Sequence, residues 1–492
     1  MNAPLHHELP PSGLDPVRAL DQVTRQWDTD ILRQLTDYVA IPAKSPGFDP
    51  DWAAHGHIDT VLRNAATWVE AQKVDGLTLE VVRLPGRTPV LFFEVAATRA
   101  AASSAQTVLM YGHLDKQPEF SGWRADLGPW TPKYEDGKLY GRGAADDGYA
   151  VYASIAAVQA LKAQNVAHPR IVGLIETSEE SGSRDLLPYI DALRTRLGDV
   201  GLVICLDSGA GNYEQLWLTT SLRGMAAGTL KVQVLTEGVH SGDASGLVPS
   251  SFRIMRQVLD RLEDSQTGRL LPEIFHCDVP AQRLEQARAT AAILGDEVYK
   301  RFPWAHYDCG GATAFALPTT TDPVQALINR TWTPTLSVTG AEGLPALQDA
   351  GNVLRPYTAF KLSLRLPPLV DAAQAVQRLK ALLEDNAPYQ AHVTFEPFSA
   401  ATGWNAPDTV PWFEQALHRA SQAHFGAPCG YIGQGGTIPL MNMLSEGFPQ
   451  AQMMVCGVLG PRSNAHGPNE FLHVPYAKRL TAAVAEVMAA MP

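Results

Sequence analysis

Apolar residues recur along this chain in two rhythms, and the places where the rhythm changes suggest its architecture. Residues 17–41 repeat their apolar positions near helical spacing and stop where Ile41-Pro42 forbids continuation, so a helix is predicted there and a second over 58–74. Short, nearly continuous apolar runs follow at 107–111, 171–175, 202–206 and, much later, 453–458. Such runs suit strands buried on both faces of an α/β sheet. Residues 149–163 place Val151, Ile155, Val158 and Leu161 on one face, as a crossover helix between the first two runs would. From about Trp217 the pattern becomes α+β: strands at 229–235, 359–366 and 392–397, helices at 250–262 and 371–383. A helix starting near Pro411 and a strand after it return to the first pattern. The simplest parse is an α/β domain with a mixed, largely parallel sheet flanked by helices, built from residues 1–216 and 399–492. Residues 217–398 form an inserted α+β domain.

Composition narrows the function more than the fold. A chain of 492 residues exceeds the size at which one core stops growing, and 45% hydrophobic with 18% charged residues is ordinary globular composition. Lys and Arg total 39 against 51 Asp and Glu, a formal charge of −12, which is the wrong sign for neutralising phosphates. No nucleic-acid partner is expected. The first sixteen residues lack the basic start and apolar run of a secretory signal, and no stretch approaches membrane-spanning length. Cys205, Cys277, Cys309, Cys429 and Cys456 are scattered without metal-type spacing, as in a reducing compartment. A cytoplasmic protein without membrane contact is predicted.

The candidate chemistry collects where apolar runs end, which is where open α/β sheets bind ligands. The run at 107–111 leads through Gly112 to His113-Leu114-Asp115; the run at 171–175 leads to Glu179-Glu180; the run at 202–206 ends at Asp207. The last run precedes Ser463-Asn464-Ala465-His466-Gly467, and the crossover helix is fed by Gly141-Arg142-Gly143-Ala144-Ala145-Asp146-Asp147-Gly148. Singly, each has an ordinary reading: a loop histidine, a helix cap at Asp146 or Asp147, a solvated acidic turn. Together, two histidines and several carboxylates at strand ends suit a pair of borderline divalent ions, typically zinc. Two adjacent glutamates can divide the work, one ligating and the other serving as general base. Asp115 can hold the second nitrogen of His113.

These motifs, with His240-Ser241-Gly242, Gly435-Gly436-Thr437-Ile438-Pro439 and Asn464-Ala465-His466-Gly467-Pro468-Asn469-Glu470, resemble the co-catalytic zinc peptidases. That family includes carnosine-type dipeptidases, glutamate carboxypeptidases and acetylornithine deacetylase, and the likeness is greatest to the dipeptidase branch. The resemblance covers nearly the whole chain. It implies two divalent ions, Zn2+ with Mn2+ or Co2+ as alternatives: one held by His113 and Asp207, the other by Glu180 and His466, with Asp146 bridging. It further implies Glu179 as general base, Asp115 as support of His113, and the insert as a lid and homodimerisation module. His240 would reach the partner subunit's site and stabilise the oxyanion. Arg365 would receive the substrate's terminal carboxylate, and Asn352, Gly436 and Thr437 would contact substrate.

Departures from the family pattern fall at the substrate end: Gln434 stands where many relatives carry glutamate, Asn352 where dipeptidase relatives carry threonine, and Gly148-Tyr149 replaces a common Lys-Gly. None touches an expected ligand. The implied reaction is hydrolysis of a dipeptide amide bond. Rival readings are a deacylase or carboxypeptidase acting on N-acyl amino acids, and a non-catalytic metal-bearing binding protein. A serine or cysteine hydrolase is disfavoured, since there is no Gly-x-Ser-x-Gly elbow and no cysteine in a nucleophile motif.

Overall fold

The computed structural model describes residues 13–98, 106–309, 312–436 and 439–492. Its central sheet has six strands in the spatial order Leu77–Val82, Val90–Val95, Ile171–Glu176, Thr107–His113, Val200–Cys205 and Gln452–Val455. The last four run parallel, and the first two form an antiparallel ribbon at one edge. Every residue of the three central strands is buried. That explains their unbroken apolar runs, because neither face meets water. Gly173 lets the ribbon close on the sheet: a Cβ there would lie 2.0 Å from the Phe93 ring.

All four parallel runs read from sequence are strands, and the helix over Tyr149–Ala163 connects two neighbouring parallel ones. That helix differs from its expected single apolar stripe. Twelve of its residues are buried, because it packs against both Pro16–Gln26 and the C-terminal helix Val474–Ala490 as well as the sheet. The first predicted helix also differs in detail. Pro16–Gln26 and Leu32–Val39 are α-helical, and Trp27–Ile31 between them has the wider i→i+5 winding, which brings Trp27 and Ile31 into the core.

A second, four-stranded antiparallel sheet has the order Thr335–Glu342, Tyr357–Leu366, Gly224–Gln233, His392–Ala401. Helices Ser251–Leu259 and Ala372–Glu384 cover one of its faces around their own apolar core, which includes Leu230, Ile254, Leu362, Leu379 and Phe395. Helices Ala281–Leu294 and Pro323–Thr331 pack instead on the strand Gly430–Gln434 of a small three-stranded sheet. No helix among the described residues is long and apolar enough to cross a membrane.

Candidate metal centre

The parallel strands deliver polar residues to one edge of the central sheet. His113 is the last residue of its strand, Glu179–Ser181 is a 3-10 turn just past the neighbouring strand, and Asp207 lies two residues beyond a third. Asp146 comes from the turn Ala144–Gly148, where its backbone is non-helical and joined to Asp147 by a cis peptide bond. His466 is carried by the loop between Gln452–Val455 and Phe471–His473.

Five residues named from sequence meet in two overlapping groups: His113, Asp146 and Asp207 form one, and Asp146, Glu180 and His466 the other. Within each group the potential ligand atoms lie within 4.8 Å of one another. Asp146 divides its oxygens between them. Oδ1 is 3.4 Å from His113 Nε2, and Oδ2 is 3.0 Å from His466 Nε2. Asp207 Oδ2 lies 3.8 Å from His113 Nε2, and Glu180 Oε2 lies 3.3 Å from His466 Nε2. Glu179 Oε2 stands 3.9 Å from His113 Nε2.

Two observations test whether cations fit. His113 Nε2 and Glu180 Oε1 are buried with no hydrogen-bond partner, an arrangement that costs stability unless something else satisfies them. The four carboxylates Asp146, Glu179, Glu180 and Asp207 also crowd into one pocket, and two divalent cations would balance four ionised groups. The protonation behaviour carries the same mark. Burial and then the Asp146 charge push Asp207 up to about 7. Burial raises Glu179 and Glu180 well above the usual carboxylate range, reinforced by Asp207 and Asp146 respectively. Burial opposes a charged His113, yet Asp115, Asp146 and Asp207 outweigh it and hold the imidazole well above its ordinary value. Asp146 lies below the carboxylate range because His113 and His466 overcome its burial. Imidazole and carboxylate donors of this kind suit zinc and its neighbours.

Asp115 does more than its sequence position indicated. His113 Nδ1 faces its backbone oxygen at 3.1 Å and its Oδ1 at 3.5 Å. The same carboxylate accepts hydrogen bonds from the backbone N–H of Glu179 at 3.1 Å and of Glu180 at 3.0 Å. One buried side chain therefore sets both the histidine and the paired-glutamate turn. Sequence reasoning missed two further groups. Gln117, two residues after Asp115, donates from Nε2 to Glu180 Oε2 at 2.6 Å. Glu176 lies beneath the turn, accepting from the hydroxyls of Tyr111 at 2.6 Å and Ser183 at 2.9 Å; burial pushes its carboxyl up to about 7. Ser178 and Ser183 are close to Glu176 in sequence, but Tyr111 reaches it from the neighbouring strand, a contact that only the fold creates.

The expected substrate residues His240 and Arg365 are carried by other elements of the fold. His240 is exposed in the two-residue strand Val239–His240, paired with Val353–Leu354, and Ser241 N donates to Asn352 O at 2.9 Å. His240 and Asn352 are thus neighbours on one ribbon, and among the described residues neither makes a hydrogen bond or ion pair with the cluster. Arg365 stands opposite Met225 and Thr335 in the smaller sheet, and burial lowers its pKa. Gly436 is exposed, and Thr437 lies outside the described residues. The Gln434 amide approaches the loop after Asp207, since a Cβ on Gly209 would meet its Nε2 at 2.6 Å.

The sequence pattern of peptidase family M20/M25/M40 matches residues 109–490. A cysteinylglycine-S-conjugate dipeptidase of Corynebacterium striatum is 30% identical over 437 residues, covering 86% of this chain and 90% of that protein. Among solved structures, the dipeptidase Dug1p of Saccharomyces cerevisiae superposes with a TM-score of 0.73 at 20% identity, over 97% of this chain and 98% of its own. Human carnosine dipeptidase 1 superposes at 0.71 with 22% identity, over 97% and 100%. These two likenesses show the fold.

Proposed function

The chain belongs to peptidase family M20/M25/M40, and on that premise we propose that this metallopeptidase hydrolyses the amide bond of dipeptides with two divalent cations, Zn2+ in the first instance. The observation that carries the reading is the pair of three-residue groups sharing Asp146, with an additional carboxylate, Glu179, beside them. A purely structural metal site would need no such spare base. When bound, the cations would supply Lewis-acid polarisation of the scissile carbonyl and acidify the attacking water. Asp207 and His113 would hold one, Glu180 and His466 the other, and Asp146 both.

The remaining steps belong to side chains of this protein. Glu179 takes the proton from the attacking water and returns it to the departing amine; its raised pKa suits a group that must both accept and release a proton near neutrality. Asp115 fixes the backbone of Glu179 and the ring of His113, so base and ligand keep their separation. Arg365 receives the terminal carboxylate, a task matched to a planar guanidinium. His240 stabilises the oxyanion. Its exposure, with no hydrogen bond or ion pair to the cluster among the described residues, supports a homodimer in which residues 217–398 act as a lid and each His240 serves the partner's site. Asn352, adjacent on the same ribbon, and Gly436 and Thr437 would line the substrate. The cytoplasm is the compartment we propose, on the scattered cysteines.

Glu179→Gln tests this reading. Turnover of a dipeptide panel should fall about 10²–10⁴-fold while zinc content is retained. Full turnover in the zinc-loaded variant would refute the assignment. Faster wild-type hydrolysis of matched N-acetyl amino acids than of the dipeptides would place the chain among deacylases.

A further inference from the structure

The sequence motifs leave two charged residues without a task, Arg142 and Glu470, and both are almost wholly buried, at 1% and 0% exposure. Their guanidinium and carboxylate form an ion pair, Arg142 Nη1 with Glu470 Oε2. Each also grips the backbone of the other's segment. Glu470 Oε1 accepts from Gly143 N at 2.9 Å, and Glu470 O accepts from Gly141 N at 3.0 Å. In return Arg142 Nη2 donates to His466 O at 3.1 Å and Gly467 O at 2.9 Å. The guanidinium is flanked by the rings of Phe120 and Trp123, at 5.9 and 5.7 Å.

The loop that receives this grip needs external support. Arg462, Asn464, His466 and Asn469 all have left-handed backbone, with φ of 66°, 55°, 63° and 61°. Such angles are disfavoured for any residue with a Cβ, so local preference alone does not select this shape. Some of the support is internal, as in the bond from Gly467 N to Asn464 O at 2.9 Å. Arg142 supplies the contact to the carbonyl of His466 itself, and it stands four residues before Asp146, whose Oδ2 faces His466 Nε2.

We propose that Arg142 and Glu470 are positioning residues which clamp the His466 loop onto the Asp146 turn and so assemble the Asp146–Glu180–His466 half of the centre selectively. The inference rests on the two-cation reading above. His113 ends its own buried strand and Asp207 follows another by two residues, and neither makes any of these contacts, so the main loss falls on the half that contains His466. Lysine at position 142 keeps the charge near Glu470, but one ammonium cannot reproduce a planar fork that serves a carboxylate and two carbonyls together.

The test uses full-length, zinc-loaded Arg142→Lys and Glu470→Gln proteins, from which zinc is withdrawn by graded chelator, together with a crystal structure of Arg142→Lys. In both variants one of the two zinc ions should bind 10–100-fold more weakly, roughly the effect of losing an outer hydrogen-bonding partner, while the other stays within about threefold of wild type. The crystal should show His466 displaced and His113, Asp146 and Asp207 in place. Equal weakening of both ions, no weakening, or an undisturbed His466 loop in Arg142→Lys would overturn the proposal. If wild-type protein carries fewer than two zinc ions, the two-cation reading fails separately, and the loop in the Arg142→Lys crystal still decides the clamp.

Discussion

One carboxylate carries more of this centre than any other. Asp146 turns one oxygen to His113 and the other to His466, whereas Asp207 and Glu180 belong to one group each. Away from the centre, His424 shows how burial acts on a single titratable group. Its side chain is 5% exposed in the helix Pro411–Phe425, neither ring nitrogen has a hydrogen-bond partner, and burial pushes its pKa down to about 4. An unfolded histidine titrates near about 6.5. Between those values the unfolded chain binds the proton and the folded one does not, so His424 contributes stability above about pH 6.5 that is lost as pH falls towards 4. The loss is on the order of 3 kcal/mol. Urea unfolding of His424→Leu should therefore show a flatter pH dependence than wild type between pH 6.5 and 4.5. An unchanged slope would mean that other groups set the acid limit.

Among the elements, the smaller sheet has consequences beyond its own core. Thr335–Glu342 is an outer strand, paired among the described residues only with Tyr357–Leu366, and Val338 on it is 49% exposed. An edge strand with an apolar side chain in water is a template for another strand. The proposed homodimer has an open edge available there. Sedimentation at tens of micromolar should give a species of about twice the 53.2 kDa chain mass, and a monomer at that concentration would contradict the lid arrangement proposed for His240. Which elements could be read from sequence follows from how they are buried. The runs around Thr107–His113, Ile171–Glu176 and Val200–Cys205 were legible because burial on both faces leaves no polar interruption. The ribbon strand Leu77–Val82 was not singled out, since its positions alternate between half-buried and exposed. The Ala-rich helix Val474–Ala490 was also missed: it is buried nearly all round and offers no polar face to set its period. Four of the five ligand candidates were legible from their places after strand ends and Asp146 from its place before a helix, but the second task of Asp115 and the part of Glu176 depend on approaches between distant segments.

On the scale of the whole molecule, the chain brings together side chains as far apart in sequence as His113 and His466 by placing four parallel strands side by side and letting their ends meet. A second core around Leu230, Ile254, Leu362 and Phe395 belongs to the part of the chain that also carries the His240 and Asn352 ribbon. The proposed centre therefore rests on five side chains, His113, Asp146, Glu180, Asp207 and His466, that could hold two cations. Anomalous scattering at the zinc edge from crystals of zinc-loaded protein measures this most directly. Two peaks are expected, one about 2.0–2.2 Å from donor atoms of His113 and Asp207, the other at that distance from Glu180 and His466, and both touching Asp146. A single peak, or peaks away from Asp146, would contradict it.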